Sequence, residues 1–319
     1  MRYYAGIDLG GTNIAAGVVD EEFRLIGRAK MKTNAPRAAE LIADDMAAVT
    51  RQAVENAGLE LSQIEWVGIG TPGTVNQDTG EIEYSNNLQF NRVPMVKLMQ
   101  ERIDLPIFME NDANAAIYGE ALAGAAKGVR NAVGITLGTG VGGGIIIDGR
   151  IYSGSNFAGA ELGHTVIVYD GRLCTCGRKG CFEAYASATG LVALTREYLK
   201  DHPNDGMWKY CENDIGKVNG RTAFDAMRMG LTSGKCVVDA YLNYLGCGIM
   251  NMINIFQPEI LCIGGGISKE GEAILGPLRE YIKREQYTKY SSKNTEIVTA
   301  KLSNDAGIIG AAFLGNLYA

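Results

Sequence analysis

Two stretches of the chain carry the same run of apolar strand, glycine tip and apolar strand. Tyr3 to Leu9 (YYAGIDL) is largely apolar, a glycine turn follows, and a second apolar run from Ile14 to Val19 ends at Asp20. Buried strands joined by a tight tip have this signature. Residues 134 to 148 repeat it: GIDLGGTNIAAGVVD at 6–20 and GITLGTGVGGGIIID at 134–148 align without a gap, about one domain's length apart. Two halves sharing one design are predicted. Further on, Pro106 to Met109 predicts a short strand running into Glu110-Asn111-Asp112 and then an alanine-rich helix. Val237, Val238, Tyr241, Leu242, Leu245, Ile249, Met250 and Ile253 recur at helical spacing and predict a long core-facing helix ending before Pro258. Its tyrosine and methionine belong to the core rather than to a cofactor. Ile260 to Ile263 predicts a strand, Gly264-Gly265-Gly266 a turn, and a helix follows from about Lys269 to Arg284. Residues 201 to 221, polar and broken by Pro203, Gly206, Gly216 and Gly220, are the least ordered-looking stretch and receive no function.

Neither glycine hairpin ends in the Gly-Lys-Ser/Thr of a P-loop, and the residues after the glycines are strand-like, unlike the helix of a dinucleotide fingerprint. A hairpin tip free of side chains can instead offer successive backbone N–H groups to a phosphate. Thr12 and Thr139 would each add a hydroxyl donor.

Composition narrows the class. The chain has 319 residues, 46% of them hydrophobic, with 42 glycines and 7 prolines, enough to bury large cores in two domains. No apolar run approaches the roughly 20 residues that span a bilayer, and Met1-Arg2-Tyr3 leads directly into a strand, so no membrane partner and a cytoplasmic location are expected. The net charge of -6 is spread without a basic stripe, which argues against a nucleic-acid ligand.

Seven cysteines without an export signal make a poor disulfide framework. Cys211, Cys236, Cys247 and Cys262 are scattered and read as packing residues. Cys174, Cys176 and Cys181 instead cluster in ELGHTVIVYDGRLCTCGRKGCFE (161–183), together with His164, one of only two histidines. Three thiolates and an imidazole complete a tetrahedral shell for zinc and leave no position for water, so the metal is expected to be structural. It would order a loop that has little core of its own. A catalytic or redox role, and no metal at all, are the alternatives. Glu161 and Glu183 lie within three residues of a ligand at either edge of this segment. Either alone would read as a solvated loop carboxylate, but bracketing a rigid metal knot suits them to accept the hydroxyls of a polyol.

Asp112 sits at a strand-to-helix junction. It can be an N-cap, where Asp is common. Beside two phosphate-cupping hairpins and a polyol-binding loop, it can also be the base that takes the proton of an attacking hydroxyl. Asn111 could donate to and accept from sugar hydroxyls.

In these motifs the chain resembles the ROK family of sugar kinases, in the actin, hexokinase and Hsp70 superfamily, along nearly its whole length. Asp8-Leu9-Gly10-Gly11-Thr12 resembles the first phosphate motif, Leu137-Gly138-Thr139-Gly140 the second, and Gly264-Gly265-Gly266 the adenosine motif. Cys174-Thr175-Cys176-Gly177-Arg178-Lys179-Gly180-Cys181-Phe182-Glu183 resembles the family's zinc motif, the most specific of the four.

The resemblance implies an α/β protein of the actin-like ATPase fold, with two ribonuclease-H-like domains and a cleft between them. The first would comprise residues 1–118 with a C-terminal helix at about 305–319, and the second residues 119–304 with the zinc loop. It implies ATP-dependent phosphorylation of a hexose 6-hydroxyl, with glucose the expected substrate. N-acetylmannosamine, N-acetylglucosamine, fructose and allose remain alternatives. A non-catalytic sugar sensor is a rival that Asp112 and the two hairpins disfavour. By position Asp112 would be the catalytic base and Asn111 its neighbour. Glu161, His164, Glu183 and the backbone of Gly73 would bind sugar, His164 using one ring nitrogen for zinc and the other for sugar. Asp8 would hold Mg²⁺, Gly10, Gly11, Thr12, Thr139 and Gly140 would meet the ATP phosphates, and Gly264 and Gly265 the adenosine. A homodimer is expected, since dimers are common in the family. Ala160 departs from the glycine many members have there. The family's repressors carry an extra N-terminal helix-turn-helix domain, for which a phosphate motif beginning within ten residues of Met1 is expected to leave no room.

Overall fold

A computed structural model describes all 319 residues, Met1–Ala319. Strands β1 (Tyr3–Leu9) and β2 (Asn13–Asp20) pair antiparallel, with Leu9 opposite Ile14. Strand β3 (Leu25–Lys32) pairs with β2, and β4 (Ile64–Thr71) runs parallel to β1. Strands β5 (Thr74–Asn76), β6 (Glu81–Ser85) and β7 (Phe90–Val93) form a small antiparallel sheet, and β8 (Ile107–Asn111) joins β4 in parallel. The first large sheet has the order β3-β2-β1-β4-β8. After it come β9 (Ala132–Leu137), β10 (Val141–Ile147), β11 (Arg150–Ile151), β12 (Ile260–Gly264) and β13 (Glu296–Thr299), in the order β11-β10-β9-β12-β13. With β9 set against β1, the two orders agree strand for strand. The gapless sequence repeat is therefore a repeat of topology.

The central strands read as unbroken apolar runs because both faces are covered. Ile7, Leu9, Ile14 and Ile69 are fully buried. They pack with Ile42 and Met46 of the helix Ala39–Asn56 in one core. The chain divides into two compact units: Met1–Gly134 with Gly144–Ala160 and Ala300–Ala319, and Ile135–Gly143 with Glu161–Thr299.

In the first unit the helix Asp112–Ala123 lies against the helix Ala306–Ala312. Glycines allow the approach: a β-carbon at Gly310 would fall 1.7 Å from the Ala115 carbonyl, and one at Gly119 2.2 Å from that of Ala306. In the second unit the helix Thr232–Phe256 buries all eight residues of the predicted stripe and ends at Gln257, in left-handed backbone just before Pro258. By length and composition this helix could cross a bilayer, but 61% of its most apolar window is buried inside the fold, as in the core helix of a globular unit.

Two expectations need correction. Residues 201–221 are built around short 3₁₀ turns at Gly206–Cys211 and Ile215–Lys217, with Met207 and Cys211 buried, so their polarity conceals an anchored segment. Cys236 is exposed and Cys247 only half-buried, so of the four scattered cysteines Cys211 and Cys262 alone are fully packed.

Candidate active site

In the first unit, the chemistry collects at the carboxyl ends of β1, β4 and β8. Asn111, the last residue of β8, caps the helix that follows: its Oδ1 accepts from the N–H groups of Ala113 (2.9 Å) and Asn114 (3.3 Å). Asp112 is thus the first residue of the helix, not its cap. Its Oδ1 accepts the neighbouring Ala113 N–H, at 2.9 Å. Asn111 Nδ2 donates to the Gly73 carbonyl at 3.1 Å, so its acceptor is committed and one amide hydrogen remains. Gly73 has φ +108, and a β-carbon there would lie 2.1 Å from the Tyr84 carbonyl, so only glycine fits this turn.

Asp8 reaches the same place from β1. Its strand partner is Gly70 of β4, and a β-carbon on Gly70 would lie 3.6 Å from the Asp112 α-carbon. Burial, and then the charge of Asp112, push the Asp8 carboxyl up to about 6. Burial also raises Asp112, against the opposing effect of the backbone N–H groups of Ala113 and of Asp112 itself. Two repelling carboxylates of this kind suit a hard divalent cation, which would relieve both. Gly10 closes the first tip by donating to the Asn13 carbonyl (2.9 Å), Gly11 sits against Asn87, and Thr12 is exposed. The sequence gives no sign of two further groups near Gly73: the hydroxyls of Thr71 and Ser85 are buried without a hydrogen-bond partner.

In the second unit, the tip between β9 and β10 is closed by Gly138 N–H donating to the Gly140 carbonyl (3.0 Å), and Thr139 is exposed. Gly265, at φ +87 just after β12, comes so near that a β-carbon would lie 2.5 Å from the Leu137 carbonyl. The third glycine motif, Gly264 and Gly265, therefore meets the second.

The proposed metal ligands converge. His164 and Cys174, Cys176 and Cys181 bring one ligand atom each to within 4.8 Å of one another. The Cys176 and Cys181 sulfurs are 3.7 Å apart, and the Cys174 sulfur lies 3.6 Å from His164 Nδ1. Tetrahedral zinc with ordinary bond lengths requires about 3.8 Å and about 3.6 Å for these pairs. Burial first, and then the neighbouring thiols, push Cys181 up to about 12, whereas the Arg178 backbone N–H lowers Cys176. Three thiolates cannot crowd together without a cation between them, and the donor set fits zinc. Phe182, fully buried against Gly248, pins the loop to the long helix.

The two glutamates differ in their attachment. Glu161 Oε2 is 4.0 Å from His164 Nε2, so the imidazole presents one nitrogen to the thiols and the other towards Glu161. Glu183 bridges two motifs: Oε1 accepts from Thr175 Oγ1 (3.1 Å), and Oε2 accepts from the Val141 N–H (2.9 Å) at the glycine tip. This link is non-local, and no sequence signal announces it.

Known proteins place the chain firmly. The family described as ROK matches residues 4–316. A glucokinase of Thermotoga maritima is 38% identical over 312 residues, 96% of this chain and 95% of that protein. A glucokinase of Streptomyces coelicolor is 37% identical over 319 residues, 98% of each. Among solved structures, a ROK family glucokinase from Streptomyces griseus in complex with glucose and AMPPNP superposes with a TM-score of 0.80 at 35% identity, covering 98% of both chains.

Proposed function

The chain belongs to the ROK family, and from that premise we propose that it transfers the γ-phosphoryl group of ATP to the 6-hydroxyl of a hexose, with glucose the preferred acceptor. Full-length similarity to glucokinases, and the likeness to a structure holding glucose and an ATP analogue, support the reaction class. One observation carries the mechanism. Because Asn111 takes over the capping of the helix, the Asp112 carboxylate has no side-chain partner and meets only the backbone N–H groups of Ala113 and of Asp112 itself, which leaves it able to accept a proton.

In this reading the hexose 6-oxygen attacks the γ-phosphorus while the bond from that phosphorus to the bridging oxygen of ADP breaks. The hydroxyl proton passes to Asp112. Much of that transfer falls late in a loose transition state, and a positioned carboxylate contributes about 10²- to 10⁴-fold. Burial that raises Asp112 makes it a stronger base, provided that it is ionised at the working pH. Gly10, Gly11 and Thr12, with Thr139 and Gly140, would donate to phosphate oxygens, and Gly264 and Gly265 would leave room for the adenosine. Asp8 would hold Mg²⁺, whose charge offsets that of the phosphates. Asn111 would give its remaining amide hydrogen to the sugar, alongside the Gly73 backbone. Glu161, Glu183 and His164 Nε2 would accept or donate at the other hydroxyls. Zinc on His164, Cys174, Cys176 and Cys181 would have a structural task. We propose a homodimer in the cytoplasm as the working form.

The test is Asp112→Asn. Loss of the base lowers kcat by at least about 100-fold while hexose affinity stays within about threefold. Near-normal turnover would return Asp112 to a purely structural role.

A further inference from the structure

Glu110 immediately precedes Asn111 and Asp112, and it is 1% exposed. Burying a carboxylate is costly unless its lone pairs are satisfied. Here five donors converge on it, none of them a cation. Oε1 accepts from the Asn111 N–H (2.8 Å) and from Asn114 Nδ2 (3.1 Å). Oε2 accepts from Tyr318 OH (2.6 Å), Ser153 Oγ (2.9 Å) and Gln77 Nε2. Gln77 also donates to the Tyr318 oxygen at 2.9 Å. The orientation of Asn114 shows how strongly this carboxylate acts: the amide turns its NH₂ to Glu110 although its own Oδ1 is left buried without a partner.

We infer that Glu110 is a positioning residue, which holds Asn111 and the first turn of the helix so that Asp112 is aimed at the acceptor hydroxyl. One carboxylate oxygen grips the backbone of Asn111 and the side chain of Asn114, which flank Asp112. The other grips Gln77 on the loop after β5, Ser153, and Tyr318, the penultimate residue. The C-terminal segment is itself anchored, since Trp66 Nε1 donates to the Ala312 carbonyl at 2.8 Å and Phe313 packs on Tyr4. Three distant parts of the chain thus fix the direction of the base through one group that never touches substrate. The role assigned to Asp112 in the proposed function underlies this inference; the placement of the helix turn by Glu110 does not depend on it.

The experiment uses the full chain with Tyr318→Phe and Glu110→Gln. Gln77 and Tyr318 border an open cavity of about 260 Å³, so water can reach this edge and Tyr318→Phe leaves the fold intact. Expected for Tyr318→Phe is a fall in kcat for the hexose of roughly tenfold, as for one lost hydrogen bond to a charged group, with the KM for ATP unchanged. Glu110→Gln falls further, by roughly 100-fold, since its amide repels donors it should accept. Amide hydrogen exchange followed by mass spectrometry supplies a readout that needs no activity. Protection of residues 111–116 drops in Tyr318→Phe, while that of the helix 39–56 is kept. Unchanged kcat and unchanged protection at 111–116 would overturn the inference, and so would a uniform loss of protection across the chain, which marks a merely structural role. A wild-type chain that phosphorylates no hexose would instead count against the proposed function, and the exchange result would still decide whether Glu110 positions the turn.

Discussion

The two sets of proposed sugar-binding groups are held by opposite means. Asp112, Asn111 and Gly73 sit at the ends of strands and on a helix clamped by glycine contacts, and every constraint on them is a backbone hydrogen bond, a polar side chain or core packing. Glu161, His164 and Glu183 sit on and at the edges of a loop containing Gly171, Gly177 and Gly180, with Glu183 opening a short helix, and this loop adds to its backbone hydrogen bonds a cluster of three thiols and an imidazole. One region is positioned by the fold alone, and the other is proposed to depend on a metal ion as well. Damage to one should therefore leave the other standing.

The largest effect expected to separate them is loss of the proposed zinc. Chelation, or Cys176→Ser at the exposed ligand, should lower Tm by about 10 °C or more and weaken hexose binding at least about tenfold. Hydrogen exchange should rise over residues 161–187 and stay unchanged over 107–123; equal loosening of both stretches would erase the distinction. Because Glu183 accepts from the Val141 N–H, the tip at Gly138–Gly140 should loosen with the loop.

A smaller and opposite effect is expected at Asp8. Its carboxyl rises to about 6 in the folded chain from an ordinary 3.8, so between those pH values the folded state binds the proton more tightly than the unfolded state. Stability therefore falls as pH rises through that window, and at pH 7 the ionised Asp8 is a net cost. Asp8→Asn should raise Tm at pH 7 by a few degrees in the absence of magnesium and nucleotide while reducing turnover severely. A Tm that falls at pH 7 would mean that the charge is compensated within the protein.

The smallest effect belongs to Ala160, which adopts φ +65 where a side chain is disfavoured. Ala160→Gly should stabilise the chain by about 0.5–1 kcal/mol, read from the urea midpoint at constant m. No gain would show that the strain is relieved elsewhere in the turn.

Much of this was legible in the sequence. The two hairpins and their repeat were visible because the strands are apolar on both faces and the tips are glycine, and Thr232–Phe256 because its stripe keeps helical spacing. The metal cluster was visible because its four ligands lie within 18 residues, from His164 to Cys181. What stayed hidden has physical causes. Asn111 and Asp112 are both good caps, so only geometry could tell that Asn111 does the capping and releases Asp112. Glu110 looked like part of a polar junction because its donors come from positions 77, 153 and 318, far apart in sequence. Met207 and Cys211 anchor a stretch whose average polarity masked them. Cys236 could have been placed correctly, since it falls outside the apolar stripe of its own helix.

The most direct measurement is ADP release from Mg·ATP by the zinc-loaded chain, with kcat/KM for glucose, mannose, fructose, allose, N-acetylglucosamine and N-acetylmannosamine. The account predicts turnover with glucose at a kcat/KM at least about tenfold above the other sugars, a margin of about 1.4 kcal/mol in transition-state binding. Absence of turnover with every sugar, in protein that binds glucose calorimetrically, would contradict it and make the chain a sensor.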